Sequence, residues 1–192
     1  LNVTILLVHG KSHHGKGEFS RYLEKLMRDS NDNIVRCSLS TYIRQIAKED
    51  FYWDGIDSDI SREFMGEVYR VGTKLYKYHM ARRVWERDIV PNLKERMSNF
   101  IIIESFREKA NYEYFQKLKE ERKISKIITT KIIRPGFSAV KDEWKKHVSE
   151  SDLDDFEFDY EVTNDGTVKQ LQKKVERFLK EIEAEKFFEQ YC

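Results

Sequence analysis

Between an apolar run and a helix-periodic stretch the chain reads Gly10-Lys11-Ser12-His13-His14-Gly15-Lys16. The spacing G-x-x-x-x-G-K has a physical mechanism only where a strand turns into a helix, so it restricts the fold strongly. Glycine lets the backbone curl until successive N–H groups point inward and form a concavity for oxyanions. The N-terminus of the following helix adds partial positive charge, and Lys16 adds a full one on a flexible stem. Gly10, His13, His14, Gly15, Lys16, Gly17 and Glu18 are therefore the candidate phosphate-binding residues. Two adjacent histidines lack zinc-site spacing, so His13 and His14 read as solvent-facing residues of the loop tip. The motif ordinarily continues with Ser or Thr, whose hydroxyl ligates Mg²⁺. Here Gly17 follows, so metal would rest on phosphates, water and a carboxylate from elsewhere.

The flanking pattern supplies the strand and the helix. Val3–Val8 is continuously apolar, as in a strand buried on both faces of a parallel sheet. Residues 99–103 and 127–133 read the same way, and 34–37 is a shorter candidate. Phe158-Asp159-Tyr160-Glu161-Val162 alternates, as an edge strand does. Helical spacing links Phe19, Leu23, Leu26 and Met27, then Phe64, Val68, Val71, Leu75 and Tyr78. It also links Tyr112, Phe115 and Leu118, and finally Val168, Leu171, Val175, Phe178 and Ile182. Strands alternating with helices imply an α/β domain around a parallel sheet. Tyr69, Tyr76 and Tyr78 read as packing residues of the long helix. Lys74, Lys77, Arg82, Arg83 and Arg87 read as a solvated face. Residues 137–155 are charged and poor in aliphatics, a mobile flap more than core.

Length and charge narrow the classes of function. A chain of 192 residues predicts one domain with an inserted lid. Thirty-five Lys and Arg against 34 Asp and Glu give no electrostatic case for duplex nucleic acid or an anionic membrane. No apolar run approaches the ~20 residues of a membrane span, and the N-terminus lacks a signal-peptide pattern. The two cysteines, Cys37 and Cys192, make no disulfide framework, and a cytoplasmic setting is expected. Phe187, Phe188 and Tyr191 near the C-terminus are candidates to cover the core or a second copy in a homodimer.

Further segments line up with the phosphate loop. They are Leu39-Ser40-Thr41-Tyr42-Ile43-Arg44, Trp53-Asp54-Gly55, Arg62-Glu63-Phe64-Met65 and Val71-Gly72-Thr73. Ile103-Glu104-Ser105-Phe106-Arg107, Ile133-Arg134-Pro135-Gly136, His147-Val148-Ser149-Glu150 and Asn164-Asp165-Gly166-Thr167 follow. Over nearly its whole length the chain thus resembles the phage-type deoxynucleoside monophosphate kinases, within the adenylate-kinase-like P-loop superfamily.

The resemblance implies a P-loop fold: a five-stranded parallel sheet of order 2-3-1-4-5, flanked by helices, with a helical acceptor region and a lid. Residues 38–97 would be the acceptor side and 134–155 the lid-like flap of one domain, 1–192. It implies ATP with Mg²⁺ as phosphoryl donor, a (deoxy)nucleoside monophosphate as acceptor, and a host cytoplasm if the source is a phage. Asn164 and Gly166 would line the adenine; Thr41, Arg44, His147 and Glu150 would face the acceptor. Trp53 would stack on the base or anchor its loop. The chain departs from the family where Thr41 stands for Asp, Arg44 for Lys, and Ser105 for the Asp of Asp-x-Arg. Glu104, one residue earlier, is then the candidate metal carboxylate.

These residue types suit phosphoryl transfer, which needs alignment and dispersal of charge more than covalent help. Lys16, Arg107 and Arg134 are the candidate catalytic residues. Arg107 stands at a strand's C-terminal end, where open α/β sheets bind ligands. Arg134 stands where a lid would bring it over the phosphates. Two other readings remain. Dephospho-coenzyme A and phosphomevalonate kinases share parts of this layout, so the acceptor is open. Gly17 and Ser105 also suit a nucleotide-binding protein that has lost catalysis.

Overall fold

A computed structural model describes residues 2–28, 30–56, 58–137 and 152–191. The order is β1 (Asn2–His9), α1 (Lys16–Met27), β2 (Asn33–Ser38), α2 (Thr41–Phe51) and α3 (Asp59–Leu75). Next come α4 (His79–Val84), a π-helical turn (Trp85–Ile89), a 3-10 turn (Val90–Asn92) and β3 (Ser98–Glu104). The chain continues with α5 (Lys109–Glu120), β4 (Lys126–Ile133), β5 (Tyr160–Thr163) and α6 (Val168–Tyr191). The sheet is parallel, in the order β2-β3-β1-β4-β5 expected from the sequence.

β1 is central because both of its faces are apolar. Val3, Ile5 and Leu7 point to one layer, with Leu39, Ile89, Phe106 and Phe115. Leu6 and Val8 point to the other, with Phe19 and Leu23 of α1 and Val175 and Phe178 of α6. The Phe19 and Phe178 rings meet edge-to-face at 5.2 Å. α6 opens on a capping box: Thr167 Oγ1 accepts the Gln170 N–H (3.3 Å), and Gln170 Oε1 accepts the Thr167 N–H (2.7 Å). Among the described residues no helix is long and apolar enough to cross a membrane.

The structure corrects three expectations. The apolar face predicted for the long helix is rotated. Val71 and Leu75 are 44% and 67% exposed, whereas Ser61 is buried together with Tyr69, which packs as expected. Tyr69 turns inward because its hydroxyl accepts a hydrogen bond from Asn111 Nδ2 (2.7 Å). The helix also ends at Leu75, so Tyr76 lies beyond it and is 72% exposed rather than packed. β5 begins at Tyr160, two residues later than predicted. Asp159 instead turns its carboxylate onto β4, accepting from Thr129 N (2.7 Å) and Oγ1 (2.8 Å). Phe158 packs against the core.

Of the flap predicted over 134–155, residues 138–151 lie outside the described residues, as do the expected acceptor residues His147 and Glu150. The C-terminal part of the flap is packed. Leu153 is buried, and Asp152 accepts the Lys109 N–H at 2.7 Å.

Candidate active site

The C-terminal ends of β1, β3, β4 and β5 converge on the phosphate loop. Gly10 and Gly15 hold φ of +152° and +99°. A Cβ on Gly10 would lie 2.7 Å from the Ile132 carbonyl oxygen. Gly15 is the N-cap of α1 and has no side chain to cap the first-turn N–H groups, which are left for an anion. Lys16 folds back over the loop, its Nζ donating to the carbonyls of Gly10 (2.5 Å) and Lys11 (2.8 Å). Glu18 turns its carboxylate away, to Arg21 (2.9 Å) and Gln172 (3.4 Å), so toward phosphate this residue offers its backbone N–H alone.

His13 sits exposed at the tip with φ +59°. His14 does not face solvent, contrary to expectation: it is 8% exposed. Its ring is inserted between the loop and the end of β4, where Arg134 N donates to Nδ1 (3.3 Å) and Nε2 lies 3.3 Å from the Phe137 carbonyl. Asn164 Nδ2 donates to the His14 carbonyl at 3.0 Å, so this side chain clamps the loop. Gly166 is exposed in the turn that leads into the α6 cap.

Alternation along β3 puts Glu104 on the face of Phe100 and Ile102, toward α1. Its Oε1 accepts from Arg36 NH1 (3.0 Å), whose Nε is in turn held by Glu24 (2.7 Å). Its Oε2 lies 4.0 Å from where a Gly17 Cβ would stand. The carboxylate thus borders the space that a Ser or Thr hydroxyl fills in the common motif, a fit for Mg²⁺ shared with phosphate oxygens. Ser105, at φ +62°, joins Ser38 and Ser40 in a hydroxyl trio, with Oγ separations of 3.0–3.3 Å, between the ends of β2 and β3.

Arg107 is half-buried just beyond β3, beside a residue the sequence reading missed. His9, the last residue of β1, stacks on Phe158 at 5.1 Å and bonds the Phe106 carbonyl through Nδ1 at 2.8 Å. Burial first, then the positive charges of Lys16, Arg107 and Lys131, pull its pKa down to about 4. The charges felt by this one imidazole mark a cationic centre at the sheet's edge. Lys131 belongs to it, although inside Ile127–Ile133 it reads only as a strand residue. Arg134 lies with its guanidinium 4.4 Å from the centroid of the Phe137 ring.

The acceptor candidates are less concentrated. Thr41 opens α2, and Arg44 is exposed one turn later. Trp53 donates its indole N–H to the Ile56 carbonyl (2.8 Å), an anchor for its loop. Of the predicted basic set, Arg83 and Arg87 lie over the ring of Tyr42 at 4.8 and 5.5 Å.

No protein-family model and no curated sequence matches this chain. Solved structures do. A thymidylate kinase from Ehrlichia chaffeensis matches 93% of this chain and 100% of its own, at TM-score 0.53 and 14% identity. A dephospho-CoA kinase from Campylobacter jejuni covers 93% and 96%, at 0.51 and 15%. The Mycobacterium tuberculosis APS kinase CysC, in complex with AMPPNP and APS, covers 93% and 98%, at 0.52 and 10%.

The chain has the P-loop kinase fold. At these identities the likeness concerns architecture, and within that architecture Lys16, Arg107, Arg134 and Glu104 share the sheet's C-terminal edge. Arg36 and Phe137 belong with His9 and Lys131 among the residues that sequence reasoning missed. Arg36, His9 and Lys131 take partners from other elements, and Phe137 takes His14 from the phosphate loop, so no local pattern marks them.

Proposed function

We infer that the protein is an ATP-dependent phosphotransferase acting on a (deoxy)nucleoside monophosphate. The observation that carries this reading is the meeting of the Gly10–Lys16 cradle with Arg107, Lys131 and Glu104 at one sheet edge. Loop amides and Lys16 would hold the donor phosphates. Arg107 and Arg134 would grip the transferring group, where planar guanidinium pairs with phosphate oxygens bidentately. Mg²⁺, when bound, would neutralise charge between the donor phosphates, with Glu104 as its protein ligand. The hydroxyl trio of Ser38, Ser40 and Ser105 suits an acceptor that is already an oxyanion. A phosphate monoester is largely ionised near neutral pH and needs no general base. The likeness to thymidylate kinase supports this acceptor class; the dephospho-CoA kinase likeness supports another small metabolite.

The test is ADP release from ATP·Mg²⁺ across all ribo- and deoxyribonucleoside monophosphates, with dephospho-coenzyme A as a further acceptor and Lys16→Ala as blank. Turnover on one or a few monophosphates, abolished in Lys16→Ala, is the expected outcome. ATP binding without turnover on any acceptor would point to a nucleotide-binding protein and overturn the kinase reading.

A further inference from the structure

Arg134-Pro135-Gly136-Phe137 closes a tight turn in which Phe137 N donates to the Arg134 carbonyl at 3.3 Å. Proline at the second position and Gly136 at φ +69° in the third are the marks of a type II turn. This turn is held to the phosphate loop by one ring. His14 Nδ1 accepts the Arg134 N–H, and Nε2 faces the Phe137 carbonyl, both at 3.3 Å. The His14 and Phe137 rings also meet edge-to-face at 6.5 Å. Nδ1 also lies 3.3 Å from the Ile132 carbonyl, so its role follows the tautomer; to make both contacts to the turn, Nδ1 must accept and Nε2 must donate. Only the neutral Nε2–H tautomer does both.

We propose that His14 is a positioning residue that locks the phosphate loop to the Arg134 turn, and that both bonds of the lock form only in the neutral Nε2–H tautomer. The proposal rests on the donor-site reading above and adds a control of that site by pH. Protonation would put a hydrogen on Nδ1, which would then face the Ile132 carbonyl at 3.3 Å. The Arg134 N–H would lose its acceptor, and the turn would keep only its Phe137 contact to the ring, so the lock would lose one of its two bonds.

The groups around the ring favour the closed state near neutrality. Lys11 and Lys16 on its own loop and Arg134 on the turn are positive. From the β5–α6 loop come the neutral Asn164 and Asp165, whose carboxylate is engaged by Lys174 at 2.6 Å. Asp154, beyond the flap, is 3.8 Å from Lys11. Burial holds the His14 pKa below the ordinary imidazole range, against the raising effect of the Ile132 and Phe137 carbonyls, with smaller lowering by Lys16 and Lys11. The lock therefore loosens on the acid side.

Two measurements decide it. Long-range ¹H–¹⁵N spectra of the wild-type imidazoles should show His14 as the Nε2–H tautomer, titrating below ~6.5. ADP affinity should then be followed from pH 8 to 5 in the wild type, His14→Asn and His14→Phe. Asn keeps an acceptor near the Nδ1 position but cannot titrate, so its curve contains only the protonation of ADP itself. The wild type should lose affinity more steeply in acid than His14→Asn, and His14→Phe should bind about tenfold more weakly at every pH. An Nδ1–H tautomer at neutral pH, or identical acid limbs in wild type and His14→Asn, would overturn the proposal. If no variant binds ADP at any pH, the donor-site reading fails, and the tautomer in the wild-type spectrum still decides the lock.

Discussion

The two ends of the proposed reaction are built differently. At the donor end nearly every side chain is committed. Lys16 is bonded to two loop carbonyls, Asn164 to the loop backbone, and Glu104 to Arg36. On the acceptor side, α2, α3 and their loop leave Phe51, Tyr52, Ile56, Ile60 and Leu75 exposed. A triphosphate presents the same oxyanions whatever the acceptor, and a cradle organised before binding spends little free energy on ordering itself. The helices α2 and α3 of the proposed acceptor side pack mainly through Tyr42, Ile43, Ala47 and Tyr69, so their outer faces are under little packing constraint.

Lys16→Ala tests that contrast most severely. Removing the loop's cation should lower turnover by about 10³-fold while leaving the melting temperature nearly unchanged. A drop below tenfold would mean the cradle is not the donor site.

His9→Gln tests the packing beneath the cradle. In the fold this imidazole titrates near 4, against ~6.5 when unfolded. The unfolded chain binds the extra proton first, so the stabilisation is complete above ~6.5 and is lost as pH falls toward 4, about 3 kcal/mol in all. Urea melts of wild type and His9→Gln should therefore converge between pH 7 and 4. Parallel curves would show that His9 carries no such burden.

Glu104→Gln should weaken Mg²⁺ binding to the ATP complex by about 10–100-fold, read by Mn²⁺ paramagnetic resonance as well as by activity. Gly17→Ser has room, since the nearest heavy atom to the new Cβ is Glu104 Oε2 at 4.0 Å. It should recover part of that loss in the double variant. No change in metal affinity for either variant would remove Glu104 from the metal site.

The smallest effect is expected on the outer face of α3. Leu75→Ser should change stability by no more than ~0.5 kcal/mol, whereas Phe19→Ala, a larger truncation at a fully buried position, should cost about 3–5 kcal/mol. A large loss at Leu75 would show that this face is covered in solution.

How legible these regions are in the sequence follows from the range of the forces that shape them. Val3–Val8 and residues 100–103 declare themselves as buried strands because almost every side chain is apolar, and 127–133 because paired isoleucines flank Thr129, Thr130 and Lys131. The phosphate loop declares itself because backbone curvature requires glycine at Gly10 and Gly15. Both are local demands, met by neighbours in the chain. The facing of α3 is different. Its pattern of Phe64, Val68, Val71 and Leu75 is a sound amphipathic stripe, yet one hydrogen bond donated to Tyr69 by Asn111, 42 residues away, helps turn another face inward. Likewise the charge on His9, the lock made by His14 and the aim of Glu104 depend on partners from other strands and loops. A carbonyl end or a guanidinium arriving from 30 or more residues away leaves no trace in local spacing. Backbone geometry and apolar runs could therefore be read in one dimension, while protonation states and side-chain partners were decided only when the sheet brought its ends together.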